Sequence, residues 1–262
     1  MANPAKSRAV VLLSGGMDSA VCAALAVRDH IAAAVHVSYG QRTEERERQS
    51  FLAICRRLNI LDQLMVRNEA LPAIGGSALT DEGIAVPDCG ASEHGAPEHG
   101  APEHGTPEHG TAEQTAAKHE PAHGPSAQNI PVTYVPFRNA HFLAVAVSWA
   151  EVLDAEKVYI GAVEQDSSGY PDCRPAYYQA FNQVVRAGTK DGRIEILTPL
   201  IAMRKSQIVQ LGLELGAPFD LTWSCYRRED QACGTCDSCV LRMRAFQTAG
   251  VKDPIPYAES VK

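Results

Sequence analysis

A chain of 262 residues is long enough to bury a sizeable core, as one large domain or as one domain with an appendage. With 24 Lys and Arg against 31 Asp and Glu, the formal net charge of −7 excludes the basic footprint of a protein that grips nucleic acid. No run of about 18 apolar residues occurs and residues 1–8 lack a secretory apolar core, so a cytoplasmic protein without membrane spans is expected.

The apolar run Val10-Val11-Leu12-Leu13 predicts a buried strand, and Ala20, Val21, Ala24 and Leu25 predict the helix that follows. Between them stands Ser14-Gly15-Gly16-Met17-Asp18-Ser19. Two adjacent glycines let backbone N–H groups converge on one anion, and the helix adds its positive N-terminal end there. Ser14 and Ser19 bring hydroxyls. The carboxylate of Asp18 would repel phosphate unless a hard cation such as Mg²⁺ lay between them. No lysine follows the glycines, so this is not the common G-x-x-x-x-G-K-[ST] loop. It resembles instead the S-G-G-x-D-S pyrophosphate loop of the PP-loop ATPases, with Leu13 to Ser19 as the ATP-binding residues. That resemblance implies cleavage of ATP between its α and β phosphates.

Further along, residues 32–37 read as a strand ending at Tyr39-Gly40-Gln41. The charged stretch 43–48 leads into an amphipathic helix with a solvated outer face, and residues 63–66 read as a third strand. Strand–helix alternation implies an α/β fold with a doubly wound parallel sheet whose ligands lie beyond the carboxyl ends of the strands. From Cys89 to Gln128 the character changes: Ala-Pro-Glu-His-Gly and close variants recur every five residues, with histidines at 94, 99, 104 and 109. Six glutamates and one lysine give this segment −5 of the total −7. Proline and glycine at that frequency oppose regular structure, so a disordered insertion is expected, with weak metal binding by the histidines as the alternative.

Order resumes at Tyr134-Val135-Pro136-Phe137-Arg138-Asn139 and a helix through Phe142, Leu143, Ala146 and Trp149. A strand at 158–162, a polar loop at 164–174, a helix around 178–185, a strand at 194–197 and a helix over 204–215 follow, the last ended by Gly216. The domain reading is therefore a first part of the ATPase domain at 7–88, the insertion at 89–128, a second part at 129–218, and a C-terminal metal-binding region at 219–262. In that last region Cys233, Cys236 and Cys239 have metal-ligand spacing, and Cys225 supplies a fourth thiolate. Four thiolates suit a closed structural Zn²⁺ site, while a [4Fe–4S] cluster has overlapping spacings. Cys22 and Cys55 fall in apolar helices as core residues.

Residues 14–19, residues 134–139, Gly161 with Asp166, Tyr170-Pro171-Asp172-Cys173-Arg174 and the four cysteines occur in one order. Together they resemble the 7-cyano-7-deazaguanine synthase (QueC) family of queuosine biosynthesis, across nearly the whole chain except the histidine-rich insertion. The resemblance implies conversion of 7-carboxy-7-deazaguanine and ammonia to the nitrile, with ATP and Mg²⁺, through an acyl adenylate and an amide. It also implies one structural Zn²⁺ and a homodimer, with no direct nucleic-acid or membrane partner. Asp18, Ser19, Arg138 and Lys205 are the expected catalytic groups, although Lys205 reads equally well as a surface cation. A deazaguanine presents adjacent N–H donors that one carboxylate can accept together, so Asp172, then Asp166, is the expected purine contact, with Tyr170 and Arg174 beside them. Cys173 as a covalent nucleophile is the weaker reading, because no histidine lies near it in sequence. Two rival readings are a tRNA-modifying PP-loop enzyme of the thiolase kind and a non-enzymatic zinc-ribbon module that binds ATP.

Overall fold

The computed structural model describes residues 6–89, 130–164 and 169–258. The histidine-rich repeats and Asp166 lie outside these, so the expectations for them do too. Five parallel strands form one sheet in the order β3-β2-β1-β4-β5: β1 Arg8–Leu12, β2 Ile31–Ser38, β3 Asp62–Arg67, β4 Lys157–Ile160 and β5 Glu195–Leu197. The order reverses between β1 and β4, whose register pairs Leu12 with Ile160. In open α/β sheets, the crevice at such a reversal is where ligands bind.

The central strands β1, β2 and β4 are buried on both faces because helices cover both, as parallel sheets require. On one face Ala9, Val11 and Ala34 pack with helices α1 (Met17–Asp29), α2 (Glu44–Arg57) and two later helices, α6 (Lys205–Glu214) and α7 (Asp237–Thr248). A short α3 (Ala70–Ile74) follows β3. On the other face Val10, Leu12, Val35 and Val158 pack with α4 (Arg138–Val152) and α5 (Pro175–Gly188). Cys22 and Cys55 are fully buried in the first of these cores.

The expected elements all form, with bounds differing by a few residues. The strand expected at 158–162 ends at Ile160, and Gly161 after it packs against the first turn of α1. The outer-face reading of residues 43–48 needs correction. Thr43 is buried and Glu47 turns inward, since Glu47, Ser50, Phe51 and Ile54 share one stripe of α2 at helical spacing. A third, smaller core joins Trp223, Cys225, Cys236, Cys239 and Ile255 to Ala78 and Val86. Residues 77–89 thus pack on the cysteine region: the Cys89 N–H donates to the Thr235 carbonyl (3.0 Å), and Arg227 pairs with Asp88 (2.6 Å). No helix among the described residues is long and apolar enough to cross a membrane.

Candidate active site

At the reversal point, the loop after β1 and the end of β4 are pressed together. Gly15 has φ +93°, and a Cβ there would stand 2.7 Å from the Glu47 carbonyl oxygen and 2.9 Å from Ser50 Cβ. Only glycine meets both demands. At Gly161 a Cβ would lie 2.8 Å from the Ser19 nitrogen, so β4 can approach the first turn of α1 only without a side chain. The loop is held from within. The Gly16 N–H donates to Ser14 Oγ (3.2 Å), Ser19 Oγ donates to the Gly16 carbonyl (2.9 Å), and the two serine hydroxyls share a bond of 3.1 Å. It is also held from outside, because the Trp223 N–H donates to the Gly15 carbonyl (2.9 Å).

The first-turn N–H groups of α1 open onto a cavity of about 290 Å³. Leu13, Ser14, Gly16, Met17, Asp18, Ser19, Arg138, Tyr170 and Lys205, all chosen from sequence, line it. Lys205, at the start of α6, is not a bare surface cation. Its Nζ pairs with Asp18 Oδ2 at 2.5 Å, and the two side chains are 17% and 22% exposed. The other carboxylate oxygen, Asp18 Oδ1, is buried without a hydrogen-bond partner. A hard cation seated between Asp18 and a triphosphate would satisfy it, and the all-oxygen chemistry of such a site suits Mg²⁺.

Arg138 opens α4, and its guanidinium donates to Tyr39 Oη (2.9 Å) and stacks near the Tyr39 and Phe142 rings. The turn before it is strained, since Phe137 has φ +56° and its N–H donates to Tyr134 Oη (2.9 Å). Asn139, next in α4, is held by Asp172. The Asn139 N–H donates to Asp172 Oδ2 (3.0 Å), and its side-chain amide donates to the Asp172 carbonyl (2.9 Å). Asp172 is 3% exposed. Burial raises its carboxyl above the usual range, against the pull of the Asn139 N–H and Arg138. Neither Asp172 nor Arg174 is part of the cavity lining, and Arg174 stands at the N-terminal boundary of α5. Cys173 does line the cavity. Burial, with the Asp172 charge next, pushes its thiol up to about 11, which opposes thiolate chemistry.

Sequence reasoning missed Tyr39, Gln41, Glu47, Trp223 and Ser224, which also line the cavity. Gln41 Nε2 donates to Glu47 Oε2 (2.9 Å) and Thr43 Oγ1 to Glu47 Oε1 (3.1 Å), yet burial lifts the Glu47 carboxyl to about 7. The helical spacing of Glu47 with Ser50, Phe51 and Ile54 was the signal available for it.

Beside the cavity, the sulfurs of Cys225, Cys233, Cys236 and Cys239 lie within 4.8 Å of one another. Backbone N–H groups of Arg227 and Cys233 donate to Cys225 Sγ, and that of Cys236 to Cys233 Sγ, each at 3.4 Å. Such bonds stabilise thiolates, so this set can hold a metal ion. Its helix, α7, and the Trp223-Ser224 segment just ahead of Cys225 both contribute to the cavity wall.

The chain is similar to known proteins along nearly its whole length. The family model described as queuosine biosynthesis protein QueC matches residues 8–250. A protein of Koribacter versatilis named 7-cyano-7-deazaguanine synthase is 60% identical over 254 residues, covering 96% of this chain and 93% of its own. Proteins of the same name from Acidobacterium capsulatum and Chlorobaculum tepidum are 57% and 50% identical, over 97% and 95% of this chain and 98% and 96% of theirs. Among solved structures, the NMN synthetase of Francisella tularensis is similar with a TM-score of 0.44 and 16% identity, over 95% of this chain and 79% of that one. The chain belongs to the QueC family of queuosine biosynthesis proteins.

Proposed function

We propose that the chain converts 7-carboxy-7-deazaguanine, ammonia and ATP into 7-cyano-7-deazaguanine, the activity its relatives are named for. The observation that carries this reading is the single cavity onto which the α1 N-terminus, Lys205, Arg138 and the orphaned Asp18 Oδ1 all converge. A carboxylate is a poor acyl donor, and adenylation replaces its oxygen by a good leaving group. Positioning and charge neutralisation dominate phosphoryl transfer. Residues 14–19 cradle the phosphates, Ser19 adding its N–H and hydroxyl. Lys205 and Arg138 offset the charge that builds as the substrate oxygen meets the α-phosphorus. Asp18 would hold Mg²⁺, which supplies charge neutralisation at the phosphates. Tyr170, Asp172, Arg174 and Asp166 are assigned to the purine, with AMP and pyrophosphate as the products of ATP.

For the cysteines we assign Zn²⁺. Four sulfurs within 4.8 Å of one another can close on a single ion with Zn–S bonds of about 2.3 Å, whereas a multi-iron cluster holds its thiolates on separate irons. Zinc would close a structural site and offers no open position for chemistry. A cytoplasmic homodimer whose ammonia is free or delivered by a partner completes the reading.

Isotope exchange between pyrophosphate and ATP, stimulated by 7-carboxy-7-deazaguanine, is expected, with the nitrile found by mass spectrometry once ammonium is added. Exchange stimulated by tRNA alone, or no exchange, overturns the reading. Elemental analysis should give one zinc per chain, and iron in its place removes the metal assignment.

A further inference from the structure

Nitrile formation must strip protons from nitrogen twice. Resting on the function proposed above, we propose that Glu47 is the group that takes them. In neutral water the nitrogen donor is mostly ammonium, which has no free electron pair. Loss of one proton exposes that pair, which forms the C–N bond at the adenylated carbon. The C–O bond then breaks with its electrons leaving on AMP, and the new nitrogen sheds a second proton to give the amide. In the second half the amide oxygen attacks the α-phosphorus of another ATP and pyrophosphate departs. The N-protonated imidate so formed loses both remaining N–H protons while its C–O bond breaks onto AMP. The electron pair of the second N–H becomes the third C–N bond.

Few groups lining the cavity can accept such protons. Asp18 is paired with Lys205 at the phosphate end. The Tyr39 phenol is held protonated by burial, and so is the Cys173 thiol. Asp237 stands in the first turn of α7, directly after the Cys236 sulfur ligand on the metal side of the cavity. Arg42, Arg138, Arg242 and Lys205 are cations, and no histidine lines the cavity among the described residues. Glu47 remains.

Its geometry suits the role. Each carboxylate oxygen receives one hydrogen bond, from Gln41 and Thr43, which orients the group and leaves an electron pair on each oxygen. Both donors are neutral, so no direct ion pair pins it as an anion. The groups facing it are Arg138 from α4, the Tyr39 phenol beyond β2 and Glu44 on its own helix. Its own carbonyl lies against Gly15, which fixes its register to the phosphate loop. Burial places its titration near neutrality, where a carboxylate can both take and release a proton.

The test compares wild-type enzyme with Glu47→Gln and Glu47→Asp in three assays: acid-stimulated pyrophosphate exchange, amide formation, and conversion of added amide to nitrile. In Glu47→Gln, exchange should stay within about threefold of wild type, while conversion of amide to nitrile falls about 100-fold or more and amide accumulates. Retained exchange also shows that the variant is folded. The wild-type rise of nitrile rate through pH 7 should vanish in Glu47→Gln and return in part in Glu47→Asp. Exchange falling in parallel with nitrile formation would make Glu47 a clamp on the loop and overturn the proposal, as would an unchanged pH profile. Absence of exchange in the wild-type enzyme would instead overturn the function on which the proposal rests.

Discussion

One wall of the cavity is Ser14 and residues 16–19 of one short loop and helix start, whereas the wall facing it is gathered from Tyr39, Glu47, Arg138, Cys173, Lys205 and Trp223. The first wall presents backbone N–H groups, so its chemistry depends on conformation and on the absence of side chains at Gly15 and Gly161. The second presents side chains whose placement depends on packing between distant elements. The two meet through few contacts, notably the Trp223 N–H on the Gly15 carbonyl and the Lys205 pair with Asp18. A contiguous wall should fail all at once when its backbone is disturbed. A gathered wall should fail piecewise, one function at a time.

The largest expected effect comes from removing the support of the gathered wall. Cys236→Ser should prevent metal closure and lower stability by about 4 kcal/mol or more, read by denaturant unfolding. Because Trp223 lies two residues before Cys225, the variant should also speed amide hydrogen exchange in residues 14–19. Unchanged exchange there would show that the cysteine region and the loop are uncoupled. Gly15→Ala attacks the contiguous wall. A positive φ and a 2.7 Å contact with backbone together cost about 3 kcal/mol, and ATP binding should be lost by calorimetry while the cysteine site still takes up metal.

The same contrast explains what the sequence disclosed. The phosphate loop and the cysteine cluster were legible because each is a short run whose spacing alone implies its geometry. Lys205 was visible but ambiguous, since its partner Asp18 is 187 residues away. Glu47 was hidden in a charge run that resembles a solvated face, and only its spacing with Ser50, Phe51 and Ile54 betrayed the inward turn. Trp223 carries no motif. Its hold on the loop comes from a backbone N–H, which any residue but proline would supply, so side-chain identity could not announce that contact.

A smaller effect separates burial from charge at Glu47. A carboxyl whose folded value is raised contributes stability that is present below its unfolded value near 4.5 and lost as pH rises through about 7. Glu47→Gln removes that titration. The variant should therefore gain on wild type between pH 5 and pH 8, by about 2 kcal/mol at the upper end, in unfolding curves at several pH values. A gap independent of pH would place the carboxylate in solvent.

The smallest effect is the most informative about the gathered wall. Asp172 holds the start of α4 through the Asn139 N–H, and its carbonyl accepts both the Asn139 amide and Tyr178 Oη, the latter at 3.0 Å. Asp172→Asn keeps an acceptor oxygen but removes the charge, so stability should fall by only about 1 kcal/mol. The kinetic split decides the role. A carboxylate that accepts the purine N–H pair directly would raise KM for the purine alone, by about tenfold or more, because donors built to meet it lose their partner. A carboxylate that acts by seating α4 would also displace Arg138, the residue just before Asn139, and would weaken ATP turnover to the same extent. Parallel loss for both substrates would make Asp172 a positioning residue and move purine recognition to Tyr170 and Asn139, which face the cavity themselves.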